Sequence, residues 1–475
     1  MLGLTTALVS PVMSSVSESG TPGPPGPAPT ERRSVVRIVA ASMLGTTVEW
    51  YDFFLYGVAA AVVFPAVFFP AADPVAGTLL SFGTFAIGFI ARPLGGLVFG
   101  HYGDKIGRKK LLVLSLLMMG ISTFLIGVLP SYATAGVLAP TLLILLRLIQ
   151  GFALGGEWGG AVLIVSEHGD ARHRGFWASW PQAGAPAGQL LANGLLAALA
   201  VFQSEEAFLA WGWRIPFLLS AVLVLIGLYV RLSVEESPIF QAARAKAEAA
   251  AQDAPAAPPI LEVFKRYPRE VFVAMGARFA ENVSYYLFTI VISTYMKQQY
   301  DLPSSFVLNA VLIGAAVHVV TIPLWGAVSD RIGRRPTYVI GAVGVGLWGF
   351  AFFGLLDTQS FALTAVAVVI GLVFHGAMYG PQAAFLSELF GTRVRYSGVS
   401  IGYQLASVAA GGLAPIIAVA LLGATGSGQS IAAYLAVCSV ITLVAVFSYS
   451  ETRDRDLGAD DGVVEAEPTR PAVGK

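Results

Sequence analysis

Seven ionisable residues stand inside long apolar runs: Glu49, Asp52, Arg92, Arg147, Glu157, Arg278 and Glu281. At the centre of a membrane-spanning helix each such charge costs about 2.5 to 3.5 kcal/mol on insertion scales, so its presence calls for a chemical reason. The chemistry open to carboxylates and guanidiniums held this way is proton binding and recognition of a charged solute. Glu49, Asp52 and Tyr56 are spaced i, i+3 and i+7 and share one helical face. Arg147, Gln150 and Glu157 share another, and so do Arg278, Glu281 and Tyr285. These stripes are expected to face a central cavity rather than lipid.

The plainest alternative is that the acids and arginines only neutralise one another. Glu49, Asp52, Glu157 and Glu281 outnumber Arg92, Arg147 and Arg278 by one, which leaves one acid over. A carboxylate buried without a partner takes up a proton, the property a proton-coupling site needs. Glu49 and Asp52 are the first candidates, with Glu157 and Glu281 beside them; for Glu157, in GGEWGG, helix packing weighs equally. Arg92 precedes Pro93, Gly95 and Gly96, so its guanidinium has room to grip a carboxylate with two parallel bonds. A fixed ion pair with Asp52 or Glu49 is the equal alternative. Arg147, with Gln150, reads as structural, organising the contact between the first and fourth helices. Tyr56, Gln182, Tyr285, His375, Tyr379 and Gln404 join Arg92 as candidate substrate contacts, because they continue polar stripes that include Gln189, Asn193 and Gln382. His318 reads as a packing residue, and Trp50, Tyr51, Phe53 and Phe54 as core or lipid-facing.

Composition narrows the field. Of 475 residues 56% are hydrophobic and 12% charged, about half the charged fraction of an average soluble domain, which excludes a soluble enzyme. The 29 Lys and Arg balance 29 Asp and Glu, so nothing invites nucleic acid. Cys438 is the single cysteine and can form neither an internal disulfide nor a thiolate metal cluster. No G-x-x-x-x-G-K-[ST] loop, no nucleophile elbow and no His/Cys cluster of metal spacing occurs, so ATP drive, catalysis, metals and cofactors are not expected.

The elements that must position the stripes are helices. Apolar stretches of about 20 residues, each sufficient to cross a bilayer core, recur twelve times between residues 36 and 449. They are too long and unbroken for barrel strands. The expected fold is all-α and integral to the membrane, twelve transmembrane helices in two pseudo-symmetric six-helix bundles. Residues 1–35 read as a disordered tail, 36–232 and 271–450 as the bundles, 233–270 as a linker carrying a short surface helix, and 451–475 as a C-terminal tail. Most Lys and Arg fall in one alternate set of connections, only Arg214 and Lys297 in the other, which places both termini in the cytoplasm of a cell whose plasma membrane holds the protein.

An internal repeat supports the division. GHYGDKIGRK from Gly100 to Lys109 and GAVSDRIGRR from Gly326 to Arg335 match at one constant offset. Gly155, Gly159, Glu167 and Arg172 match Gly376, Gly380, Glu388 and Arg393 at a second. Parallel repeats with a site at their interface are a transporter architecture. The doubled spacing predicts that Asp104, Arg108 and Glu167, and Asp330, Arg334 and Glu388, form gating ion-pair networks at the basic end.

The doubled loop resembles the signature of the major facilitator superfamily. GTTVEWYDFFLYG, ARPLGG, RLIQGFALGGEWGGA and ARFAEN look like the metabolite:proton symporter family within it, over about residues 36 to 450. The resemblance implies a secondary transporter that imports a small metabolite with protons. Family members carry organic acids or zwitterionic osmolytes; this chain lacks the long heptad-patterned extension of an osmosensing branch, which favours the organic acid. Its expected partners are a small-molecule substrate, protons and membrane lipid, and it is expected to act as a monomer. An intramembrane enzyme or sensor with a transporter-like body is the rival from another class.

Overall fold

The computed structural model describes residues 29–233 and 259–457, apart from 71, 73, 107, 169, 170, 392, 393 and 456. Twelve long helices run in alternating directions. The first six are α1 (Pro29–Val62), α2 (Pro74–Ile106), α3 (Arg108–Val128), α4 (Leu138–His168), α5 (Arg174–Phe202) and α6 (Arg214–Ser233). The second six open with α7, which is Pro268–Tyr286 carried through the π-helical Leu287–Val291 into Ile292–Tyr300. Then come α8 (Ser304–Ile332), α9 (Arg334–Leu356) and α10 (Phe361–Leu389). In α11, Arg395–Ala406 continues through the π-helical Ser407–Gly412 to Ala414–Thr425, and α12 is Gly428–Phe447.

Nine of these, among the described residues, are long and apolar enough to cross a membrane on length and composition alone. The remaining three, α1, α5 and α7, carry buried Glu49 and Asp52, Gln182, Gln189 and Asn193, and Arg278 and Glu281. Their lower hydropathy is therefore the mark of an inward polar face. The first helix begins at Pro29, a turn and more before the expected boundary at 36, since proline's fixed φ suits a first helical turn. Most of the expected linker, 234–258, lies outside the described residues, as do residues 1–28; a helix at Pro259–Arg266 stands where a short one was expected.

Small residues set how closely helices approach. A Cβ on Gly151 would lie 1.9 Å from the carbonyl oxygen of Gly88, and one on Gly155 2.0 Å from that of Arg92. The α2 and α4 backbones thus touch, which fixes the height and rotation of Arg92. Pro93, Pro181, Pro186, Pro323 and Pro381 interrupt α2, α5, α8 and α10, each removing one ladder hydrogen bond where a cavity can form.

The two sixes meet along α5 and α8, with Gly175 against Gly326. At this end, where the basic loops lie, Asp330 accepts bonds from the amides of Gly175 (2.8 Å) and Phe176 (2.9 Å) at the start of α5. Arg334 pairs with Asp330 at 2.7 Å and with Glu388 at 3.2 Å. Glu388 is also reached by Arg174 at 3.1 Å, so one carboxylate is shared by both halves. Gly333, at φ +106°, makes the α8–α9 turn that lets Arg334 fold back, a conformation costly to any residue with a Cβ. After α12 the chain returns to this cluster: Glu451 accepts from the amides of Arg334 and Arg335, and Thr452 donates to Glu388 at 2.7 Å.

Two outcomes follow from this packing. Gly155→Ala should lower thermal stability by about 1–3 kcal/mol, the usual cost of overpacking, whereas Gly354→Ala, with nothing within 4 Å of the added carbon, should not; thermal unfolding of the purified protein in detergent compares them. Arg174→Ala should loosen the basic end and shift the ratio of open to closed forms there about tenfold, ~1.4 kcal/mol. Double electron resonance distances across that end would report it, and unchanged distances would show that the shared Glu388 does not hold the halves.

Candidate functional site

A cavity between the halves is lined by Thr46, Glu49 and Trp50 of α1, Arg92 of α2, Leu154 and Val162 of α4, Pro181 and Gln182 of α5, and Tyr403 and Gln404 of α11. Its empty volume, open solvent at the mouth included, is about 400 Å³. Glu49, Arg92, Gln182 and Gln404, anticipated from spacing, come together here. Trp50 also lines the cavity rather than lipid, because the rotation of α1 that buries Asp52 in its own bundle turns the neighbouring indole toward the halves' interface.

Arg92 is 3% exposed, and its guanidinium lies over Phe89 (4.0 Å to the ring centroid) and Phe53 (4.8 Å). Ring faces attract a cation without neutralising it. Among the described residues no carboxylate pairs with Arg92, and its Nε has no hydrogen-bond partner. Gln404 donates to the Gly155 carbonyl (2.8 Å), its own Oε1 having no partner among the described residues, and Gln182 donates to the Tyr379 carbonyl (3.5 Å). The Tyr379 hydroxyl is likewise without a partner among the described residues. Buried polar atoms are rarely left so, and those of Arg92 and Gln404 at the cavity mark where a polar solute or water completes the bonding.

The α1 stripe does not act as one surface. Glu49 lines the cavity, whereas Asp52 turns toward Thr123 of α3 and keeps one carboxylate oxygen without a partner among the described residues. Tyr56 points away from the cavity, its hydroxyl donating to Thr84 (2.7 Å) and its ring 4.1 Å below Arg147. Arg147 bonds Gln150 (3.2 Å), and Gln150 donates to Thr123 (2.7 Å), tying α4 to α3 and α1. The side chains of Asp104, Arg108, Glu157 and Glu167 lie outside the described residues.

Charges in the second half are bonded into a chain. Arg278 of α7 lies 3.3 Å from the ring centroid of Tyr403, donates to Gln382 (2.8 Å), and stands 3.5 Å from Glu281. Glu281 in turn faces His375 at 3.4 Å, and His375 lies 3.0 Å from His318. Tyr285 lies against His375 with centroids 4.9 Å apart and planes tilted by 46°, and donates to Gln189 of α5 at 2.8 Å. Of the three intramembrane arginines only Arg278 has a carboxylate partner among the described residues. Sequence reasoning missed His318, because nothing in one helix's periodicity reveals a partner on another. It also missed Arg174, although Arg174 and Arg395 stand at the same offset as the matched Arg172 and Arg393.

Comparison with known proteins agrees with this architecture. A sequence model of the Major Facilitator Superfamily matches residues 42–411 and 274–471. The chain is 42% identical to the inner membrane metabolite transport protein YhjE of Escherichia coli (strain K12), over 89% of this chain and 95% of that one. It is 41% identical to the shikimate transporter of the same strain (88% and 95%), and 35% identical to the proline/betaine transporter of Salmonella typhimurium (strain LT2) over 92% and 88%. The fold matches the MFS proton:xylose symporter XylE bound to 6-bromo-6-deoxy-D-glucose, with a TM-score of 0.72 at 18% identity, covering 90% of this chain and 98% of that one. With twelve helices in two bundles, the doubled loop and these end-to-end alignments, the chain belongs to the Major Facilitator Superfamily and, within it, to the metabolite:proton symporter family.

Proposed function

We propose that this chain imports a small organic acid together with protons, by alternating access, in the cytoplasmic membrane with both termini in the cytoplasm. The supporting observation is Arg92: a buried guanidinium at the cavity wall, held by ring faces and ion-paired with no carboxylate among the described residues. Such a group is poised to receive an anionic solute, with the Gln404 amide oxygen beside it available to a hydroxyl. The similarity to a shikimate transporter supports the same reading, since shikimate is a hydroxylated carboxylate. Membership of the family sets the enzyme alternative aside.

A zwitterionic osmolyte is the second reading, favoured by one feature. Glu49, Trp50 and Tyr403 line the same cavity and could hold a cationic group by charge and ring face, as the likeness to a proline/betaine transporter would suggest. The two readings separate on the weight of the carboxylate. Arg92→Lys keeps the charge and loses the two-pronged geometry, so apparent affinity for an organic acid should fall by about 1.5–3 kcal/mol, roughly 10- to 150-fold. Uptake competition between the acid and amide forms of one compound measures carboxylate recognition directly. An amide that competes as well as its acid would remove the organic-acid assignment.

The α1 carboxylates, Asp52 foremost, are the proposed holders of the coupled proton, a reading supported by the Asp52 oxygen buried without a partner among the described residues. Asp52→Asn keeps shape and hydrogen bonding while removing titration. It should abolish concentrative uptake into energised vesicles while exchange of labelled for unlabelled solute persists. Full accumulation by this mutant and by Glu49→Gln alike would move the proton site off α1.

A further inference from the structure

We infer that His318, His375 and Glu281 form a proton relay in the second half, a second proton-holding site that adjusts the charge behind the substrate cavity. The inference rests on the proton-coupled reading above and adds a route and a receiver to it. His318 and His375 are both fully buried and come from different helices, α8 and α10. Their nitrogens, Nε2 of His318 and Nδ1 of His375, are 3.0 Å apart, so one must donate and the other accept.

The surroundings select the direction. Glu281 Oε2 is occupied, accepting from Gln382 (3.1 Å) and Asn282 (3.3 Å) with Arg278 at 3.5 Å. Oε1 lies 3.4 Å from His375 Nε2, within ion-pair distance but without a hydrogen bond in this structure. Because a carboxylate only accepts, the arrangement that offers Glu281 a donor has N–H on Nε2 of each imidazole, with His318 donating to His375 and the His375 N–H next to Glu281, where a small movement makes the bond. His318 Nδ1 is then the open lone pair, 3.5 Å from the hydroxyl of the partly buried Thr321. A proton arriving there forms an N–H bond at Nδ1 as the Nε2–H bond breaks. The released proton binds His375 Nδ1, and the proton on His375 Nε2 passes to Glu281 Oε1. Both rings end in the other tautomer, one proton has moved, and no other reactant is consumed.

The receiving end explains a use for it. Protonated Glu281 no longer balances Arg278, whose guanidinium lies against the Tyr403 ring that lines the cavity with Arg92. One added proton thus leaves one additional uncompensated positive charge behind the site of an anion. Besides Arg278 and the imidazoles, the titratable groups near Glu281 are the phenols of Tyr285 and Tyr286 on α7, Tyr338 on α9, Tyr379 on α10 and Tyr403 on α11. Phenols ordinarily titrate near 10, which leaves the carboxylate and the imidazoles as carriers.

The test uses the full chain in lipid nanodiscs with ¹⁵N-labelled histidine. The chain has 5 histidines, and the two buried ones are assigned by loss of signal in His318→Gln and His375→Gln. The relay requires the Nε2–H tautomer on His375 and a changed His375 Nδ1 resonance in His318→Gln; an Nδ1–H tautomer, or indifference to His318, overturns it. In proteoliposomes, with shikimate and glycine betaine as probes, His318→Gln should reduce proton-driven accumulation at least tenfold more than it reduces counterflow, and Glu281→Gln should flatten the pH dependence of counterflow affinity. Equal losses of accumulation and counterflow in His318→Gln would reject the relay's role. If the wild-type protein accumulates neither probe under a proton gradient, the transport reading fails for those solutes while the ¹⁵N spectra still decide the relay.

Discussion

The cost of holding a charge inside a membrane governs this structure. Because a guanidinium or carboxylate exposed to hydrocarbon loses several kcal/mol, every described intramembrane charge turns inward, and its helix turns with it. All three arginines then use the same device. Arg92 lies over Phe89 and Phe53, Arg147 over Tyr56, and Arg278 over Tyr403. An aromatic face partly replaces water for a cation while leaving its charge intact, whereas a carboxylate would cancel it. The aromatic richness of α1 and α2 is thus what permits positive charge to persist at the cavity.

That charge must also be held in place. Arg92 sits on a helix interrupted by Pro93, and its carbonyl is pressed against Gly155 so closely that a single added carbon would collide. The glycines on α2 and α4 give the first half a rigid seam where direct recognition is proposed. Like α2, the helices α5, α7, α10 and α11 are interrupted by prolines or π-helical turns. Interruptions of this kind release backbone groups, and in a membrane they survive only beside protein or a wet cavity.

Much of this was legible in the residues. Twelve apolar runs, a duplicated loop and three polar faces specify the helices, the two halves and most of the cavity's polar lining, because hydropathy and a 3.6-residue period are local properties. The partners were not. Spacing showed that Glu49, Asp52 and Tyr56 share a face, yet a face wide enough for three residues spans both the cavity and the bundle interior, and the structure divides them between the two. Counting acids against arginines gave no sign of the aromatic rings that lie against all three cations. His318 and His375 meet only because α8 and α10 pack together, a tertiary fact with no signature in either helix.

The bonds that join the halves differ in kind from those within them. Inside the second half, Glu281, Arg278 and Gln382 are bonded side chain to side chain, and Arg334 holds both Asp330 and Glu388. Across the interface the described bonds run largely to backbone groups: Gln404 to the Gly155 carbonyl, Tyr396 to that of Gly156, Gln182 to that of Tyr379, and Asp330 to the amides opening α5. Backbone carbonyls and amides are strongly hydrated when exposed, so water can take over each bond as it parts. The interfacial Arg174–Glu388 contact is cushioned similarly, since Glu388 keeps Arg334 and Thr452 when Arg174 leaves. An interface built this way closes with definite register, and its bonds can part without stranding a buried charge.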